Sequence, residues 1–318
     1  MARSEAYVAV GMVPADIADL DPQRRLKKQA TIASVCVATL LISVKLAAWL
    51  MTDSVAVLSA LFDSFLDAAA SIVTLIAVRC SMEPADHEHR FGHGKAEALA
   101  GLAQAAFICG SSVLLLIEAI RRLFDPRSVQ AENIGIAVMI FSIVVTLALV
   151  AFQRHVVRRT RSIAIEGDSL HYASDIALNG SVIIVLGAHA VWGWTWLDPV
   201  LAIGIMAWLL WNARKVGMVS LDMLLDRELP EEERDRIKKI VLGHPEARSL
   251  HDLRSRRSGT DTFIQFHLVL SPDVSLMRAH DIADEVELAI MEAYPNAEVI
   301  IHQDPEGLEE AHPKRAAS

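Results

Sequence analysis

The sequence predicts an α-helical membrane protein of six transmembrane helices, followed by a small C-terminal α+β domain ordered helix, strand, strand, helix, strand, a layout shared by metallochaperone-like domains. Three observations predict it. Hydrophobic residues make up 53% of the 318, and they gather in the first two thirds instead of spreading as around a soluble core. Six stretches there are long enough to cross hydrocarbon. From about Leu229 the composition turns charged and strand-like. The boundaries that follow are a tail over 1–28, a membrane domain over 29–220, a soluble domain over 221–306 and a tail over 307–318.

A spanning helix needs roughly 20 apolar residues. Such runs occur at about 30–51, 54–78, 97–120, 132–153, 163–189 and 194–217. Arg24, Arg25, Lys27 and Lys28 precede the first run. Arg79, Arg90 and Lys95 lie between the second and third, and Arg154, Arg158, Arg159 and Arg161 between the fourth and fifth. Excess Lys and Arg mark cytoplasmic ends, which puts both termini on the cytoplasmic side. Arg121, Arg122 and Arg127 are the exception, on the outer side, where Trp192, Trp194 and Trp196 suit an interfacial belt.

The first residues lack the pattern of a cleaved signal, because Pro14, Asp16, Asp19 and Asp21 interrupt any apolar core before Arg24. A net charge of −9, with basic clusters only beside apolar runs, argues against nucleic acid. Cys36, Cys80 and Cys109 have no CxxC spacing, and two of them lie inside apolar runs, where a small buried side chain is the ordinary reading.

The second run, SVAVLSALFDSFLDAAASIVTLIAV, carries Asp63 and Asp67 four residues apart on one helical face. The fifth, AIEGDSLHYASDIALNGSVIIVLGAHA, repeats that spacing with His171 and Asp175. Each intramembrane carboxylate costs at least ~2.5 kcal/mol on insertion scales, so these groups require compensating positive charge. Lys45, the candidate within a run to supply that charge, is near enough to an end to snorkel to water, which leaves a divalent cation. Three carboxylates and one imidazole suit four-coordinate Zn²⁺, and the donor set also admits Fe²⁺, Mn²⁺, Co²⁺ and Cd²⁺. The plain alternative is interhelical hydrogen bonding without metal. That reading is preferred for Glu118 (one turn from Arg122), for Asn179 and for His189.

In the loop PADHEHRFGHGKAEAL, Asp86, His89 and His93 could close on one ion, with His87 a substitute ligand; a solvated polar loop is the alternative. The soluble part opens with LPEEERDRIKKIVLGH, with Pro230 and acidic residues at its start. It continues through TFIQFHLVL, which alternates as a half-buried strand, and ends in AEVIIHQD, where His302 and Asp304 share a face. His251, His267, His280, His302 and Asp304 are enough for two metals with a bridging carboxylate, although spacing alone does not make them converge.

With LFDSFLD, FGHGKAEALA, HYASD, HDLRSRRSG, FIQFHLVL and VIIHQDPEG in order, residues 25–306 resemble the cation diffusion facilitator family, in particular its bacterial zinc and ferrous-iron efflux branch. The resemblance implies a proton-coupled transporter, not an enzyme, with Asp63, Asp67, His171 and Asp175 as the transport site. It further implies a loop site at Asp86, His89 and His93, and a binuclear cytoplasmic Zn²⁺ site at His251, His267, His280, His302 and Asp304 that regulates the protein. A homodimer supported by a Lys95–Asp226 charge pair is also implied. Membrane lipid, divalent cations and protons are then its partners. The longer acidic N-terminal tail and His87 depart from the family pattern. An intramembrane metalloprotease would need HExxH, which His87-Glu88-His89 is not, and a non-transporting metal sensor leaves the intramembrane quartet unexplained.

Overall fold

A computed structural model describes residues 22–124, 133–192 and 196–307, which form two units divided between Leu221 and Asp222. Of the predicted tails, residues 1–21 and 308–318 lie outside the described residues, whereas 22–28 form the first turns of a helix that runs on into the membrane domain; Arg127 and Trp194 also lie outside, as do the side chains of Arg122 and His189.

The first unit is built from α1 (Pro22–Thr52), α2 (Val55–Ser81), α3 (Lys95–Phe124), α4 (Asn133–Thr160), α5 (Ile163–Trp192) and α6 (Leu197–Leu224). Each of the six is long and apolar enough to span a membrane. They are apolar almost all round, and large side chains such as Leu114, Val144 and Ile184 point outward, as lipid requires and water would not allow. The 31-residue α1 is longer than its apolar run because Arg24, Arg25, Lys27 and Lys28 lie on the same helix and add polar turns below it.

Connections are short where helices neighbour each other. Only Asp53 and Ser54 join α1 to α2, and only Arg161 and Ser162 join α4 to α5. Asp53 adopts φ 50° and Arg161 φ 51°, left-handed turns that stop one helix and reverse the chain. The resulting α1–α2 and α4–α5 hairpins pack together, so α1, α2, α4 and α5 form a bundle with α5 reaching both members of the other hairpin. α3 lies against α2 and α5, and Ile108 of α3 packs with Met206, Leu209 and Ala213 of α6. Gly101 permits that approach: a Cβ there would come within 2.6 Å of Ile163 Cγ2 and of Ser220 Oγ.

The second unit contains α7 (Glu231–Leu242), β1 (Ser249–Ser258), β2 (Asp261–Leu270), α8 (Leu276–Ala293) and β3 (Ala297–Pro305). The sheet order is β1-β2-β3, with β1–β2 antiparallel and β2–β3 parallel. Gly259 at φ 63° makes the tight β1–β2 turn, and α8 supplies the crossover that a parallel pair needs. Ser275 starts α8 by accepting the Arg278 backbone N–H on its hydroxyl at 3.2 Å. Period-two alternation sends Ile264, Phe266, Leu268 and Leu270 into a core with Ile237 and Val241 of α7 and Ile282, Val286 and Ile290 of α8. Both helices therefore cover one face of the sheet. The other face carries His267.

Candidate metal sites

In the membrane unit, α2 and α5 cross with their polar residues facing each other. His171 Nε2 lies 2.8 Å from Asp67 Oδ1, and donor atoms of Asp67, His171 and Asp175 all come within 4.8 Å of one another. His171 is buried, with its ring edge-on to Phe107 at 5.5 Å between centroids. Asp63 is outside this cluster, one turn along α2 from Asp67 and exposed.

Lys45 departs from the sequence expectation. Its ammonium does not leave for water but donates to Ser64 Oγ (2.6 Å) and the Ala60 carbonyl (3.1 Å) of α2. The cause is the short Asp53–Ser54 connection, which folds α1 back along α2 and lays Lys45 beside the acids rather than along the lipid. The site thus has a basic side chain at its edge.

Two buried polar networks of the membrane unit were not found in the sequence, and the first of them adjoins the cluster. Asp168, only 1% exposed, accepts hydrogen bonds from Gln153 Nε2 (2.7 Å), Ser34 Oγ (2.8 Å) and Ser71 Oγ (3.1 Å). Ser71 also bonds the Tyr172 hydroxyl at 2.8 Å, so one carboxylate ties α1, α2, α4 and α5 together beside His171. Asp168, His171 and Asp175 repeat at i, i+3, i+7 on α5, a helical stripe that would have exposed the first had it been followed back one turn. In the second network Lys27 Nζ meets Glu97 Oε1 at 2.6 Å, and Glu97 also accepts from Ser162 Oγ (2.6 Å) and Ser81 Oγ (3.1 Å). Lys27 is thus a buried partner as well as part of a basic cluster.

Between α2 and α3 the loop brings Asp86, His89 and His93 together. Asp86 Oδ1 stands 3.4 Å from His89 Nδ1, and Asp86 Oδ2 stands 3.4 Å from His93 Nε2. Both separations are longer than a good N–H···O bond but close to the ~3.4 Å edge of a tetrahedron with ~2.1 Å metal–ligand bonds. The backbone N–H of His89, then that of Glu88, holds the Asp86 carboxyl below its ordinary value, keeping it an anion ready for a cation.

The second unit assembles its site by register. His251 pairs with His267, and His267 with His302, so one histidine from each strand forms a row across the sheet. Ring centroids are 4.9 Å and 4.6 Å apart along it. Asp304, two residues beyond His302 on the same face, lies 2.8 Å from His267 Nδ1, 3.2 Å from His302 Nε2 and 3.5 Å from His251 Nε2. Donor atoms of His251, His267 and Asp304 all come within 4.8 Å of one another, a nitrogen and carboxylate set that suits Zn²⁺, while His302 approaches Asp304 but stands outside that group. His280 does not join them. It belongs to α8, which covers the opposite, core face of the sheet, and its Nδ1 lies 3.6 Å from Asp284. Asp226, the expected partner of Lys95, is 3.0 Å from Arg256 of its own unit.

Comparison with known proteins settles the family. Residues 31–225 match the family model described as the cation efflux transmembrane domain, and residues 229–306 that described as the cation efflux protein, cytoplasmic domain. The chain belongs to the cation diffusion facilitator family. Its similarity to the cation-efflux pump FieF of Klebsiella pneumoniae is 47% identity over 281 residues, covering 88% of this chain and 93% of the relative. The Cronobacter sakazakii protein of the same name matches to the same extent, and that of Salmonella newport at 45% identity. Among solved structures, one of CzrB is 40% identical and covers 25% of this chain and 99% of its own, with TM-score 0.24. A MamM CTD structure in a nickel form is 22% identical over 24% of this chain and 99% of its own, with TM-score 0.23. As a member of this family the chain is a multi-pass membrane transporter that exports metal cations, and it is not an enzyme.

Proposed function

We propose that this facilitator exports Zn²⁺, with Fe²⁺ and Cd²⁺ as alternative cargo, in exchange for protons across a bacterial inner membrane. The observation that carries the reading is the meeting of Asp67, His171 and Asp175 within 4.8 Å inside the membrane unit, with Asp63 one turn away as the fourth ligand. Two or three carboxylates and an imidazole nitrogen must give up protons before they coordinate a cation, so cargo and protons compete for the same atoms. When the cation leaves, protons return to the site, and with Lys45 they offset the acids that would otherwise stand unpaired in the membrane. Alternating access follows if the helix bundle rocks and each occupied state opens to one side only.

The basic residues at the start of α1, around the α2–α3 loop and at the α4–α5 turn favour a cytoplasmic location for both termini. Cargo then enters from the side that carries the second unit. There His251, His267, His302 and Asp304 hold regulatory Zn²⁺, and His280 serves a second ion only where another element approaches it. Asp86, His89 and His93 hold a further ion in the loop. The working form is a homodimer, to which a charge pair of Lys95 with Asp226 contributes.

Zinc flux into proteoliposomes under an imposed proton gradient tests this reading. Wild type is expected to respond to the gradient, and Asp175→Ala, folded, to lose flux. Equal transport by the variant would remove the site, and no flux of any divalent cation by folded wild type would favour a sensor.

A further inference from the structure

We propose that a cavity between α4, α5 and α6 binds the phosphodiester of an anionic phospholipid. The cavity, about 260 Å³, is lined by Arg154 and Arg158 of α4, Glu166 of α5, and Trp208, Asn212 and Lys215 of α6. Three cations against one acid leave it net positive, and neither the transport cluster nor the loop site uses any of these residues.

Its depth identifies the source of the anion. Residues 134–153 of α4 carry no ionisable side chain, and at 1.5 Å per residue those 20 residues cover ~30 Å, the thickness of the hydrocarbon. Arg154 is therefore the first charge at the headgroup boundary, with Arg158 one turn beyond it. On α6 the uncharged stretch ends at Arg214 and Lys215. Glu166 belongs to the first turn of α5, which the Arg161–Ser162 turn returns to this same end. Three helices thus place charged groups at one level of one membrane face. Trp208 is two turns deeper than Lys215 and exposed, placing an amphipathic ring beside the glycerol and upper acyl carbons. Lys215 Nζ sits 5.6 Å over the Trp211 ring, and Asn212 donates to the Trp208 carbonyl at 2.7 Å. Guanidinium groups suit phosphate oxygens, and basic recesses between helix ends at this level select anionic headgroups. Glu166 disfavours a second phosphate and finds donors in the hydroxyls of a glycerol headgroup.

Soluble phosphate shares this chemistry but gains nothing from the membrane depth of the site or from Trp208. Native mass spectrometry of the purified full-length chain, titrated with phosphatidylglycerol, with phosphatidylethanolamine and with inorganic phosphate, separates the sources. Phosphatidylglycerol is expected to bind most tightly. The triple substitution Arg154→Gln, Arg158→Gln, Lys215→Gln should weaken it by about a hundredfold, on about fivefold per cation. A control triple, Arg159→Gln, Arg161→Gln, Arg214→Gln, removes equal charge from the same end outside the cavity lining and should weaken it far less. Equal losses in both triples, or none in the first, would overturn the site. Equal affinity for phosphatidylethanolamine or for inorganic phosphate would overturn the anionic-lipid assignment. If the first triple does not keep its helical circular dichroism, Arg158→Gln and Lys215→Gln singly decide the matter, each with an expected loss of about fivefold.

Discussion

Replacing Lys27 by Met should cost this protein about 3 kcal/mol of stability, and the structure says why the figure is neither smaller nor larger. The Lys27 and Glu97 side chains are 4% and 3% exposed, and their charged atoms are 2.6 Å apart. Removing one partner of such a buried pair typically costs 3–5 kcal/mol, because the other charge is stranded. Here Glu97 keeps two hydroxyl donors, Ser162 at 2.6 Å and Ser81 at 3.1 Å, which places the loss at the lower end. Glu97→Gln retains those hydroxyls but leaves the Lys27 ammonium without a charge partner, so it should cost a similar amount. The double variant removes both charges and should cost much less than the sum, with a coupling energy of about 2 kcal/mol or more. Unfolding in mixed micelles, followed by circular dichroism for the four proteins, supplies the cycle. Additivity within about 0.5 kcal/mol would refute the reasoning, since it would mean that the two charges do not depend on each other.

Three further outcomes follow from the other sites. Asp168→Asn turns an acceptor of three hydrogen bonds into a group with two donors of its own, and should cost roughly 1–3 kcal/mol in the same unfolding assay; an unchanged stability would show that the network is idle. Asp304 touches all three histidines of the row, so Asp304→Asn should abolish most of the zinc-dependent rise in unfolding temperature of the second unit, whereas His280→Ala should leave most of it; the reverse order would contradict the assembly by register. Asp86 is held below its ordinary value by the His89 and Glu88 N–H groups, so its contribution to the folded loop is complete above the unfolded aspartate value and is lost as pH falls through the lower folded one. A ¹³C-carboxyl titration should therefore place Asp86 below free aspartate, and a midpoint at or above it would contradict the loop geometry.

Much of the architecture is legible in the chain because lipid imposes simple demands: apolar runs of helical length, and basic residues at one set of ends. The pairs at i, i+4 on α2 and α5 announce a site for the same reason, since carboxylates in such runs are costly. What the sequence withholds is anything set by contact between elements. Lys45 reads as a snorkelling residue until the Asp53–Ser54 turn lays it against Ser64. His251, His267 and His302 form one row only once the strand register is known, and that same register leaves His280 on the far layer. Lys27 and Glu97 are 70 positions apart, and nothing local to either indicates the other. Asp168 is different, for its place on the His171–Asp175 stripe is a local signal.

The central claim is that Asp67, His171 and Asp175 carry the exported cation and that protons replace it there. Stopped-flow recording of internal zinc and internal pH together, in proteoliposomes of the full chain, tests it most directly. The account predicts zinc and proton movements of opposite direction in a constant ratio, both lost in Asp175→Ala and in Asp67→Ala. Zinc movement with no opposing proton flux, or coupled fluxes that survive in both variants, would contradict it.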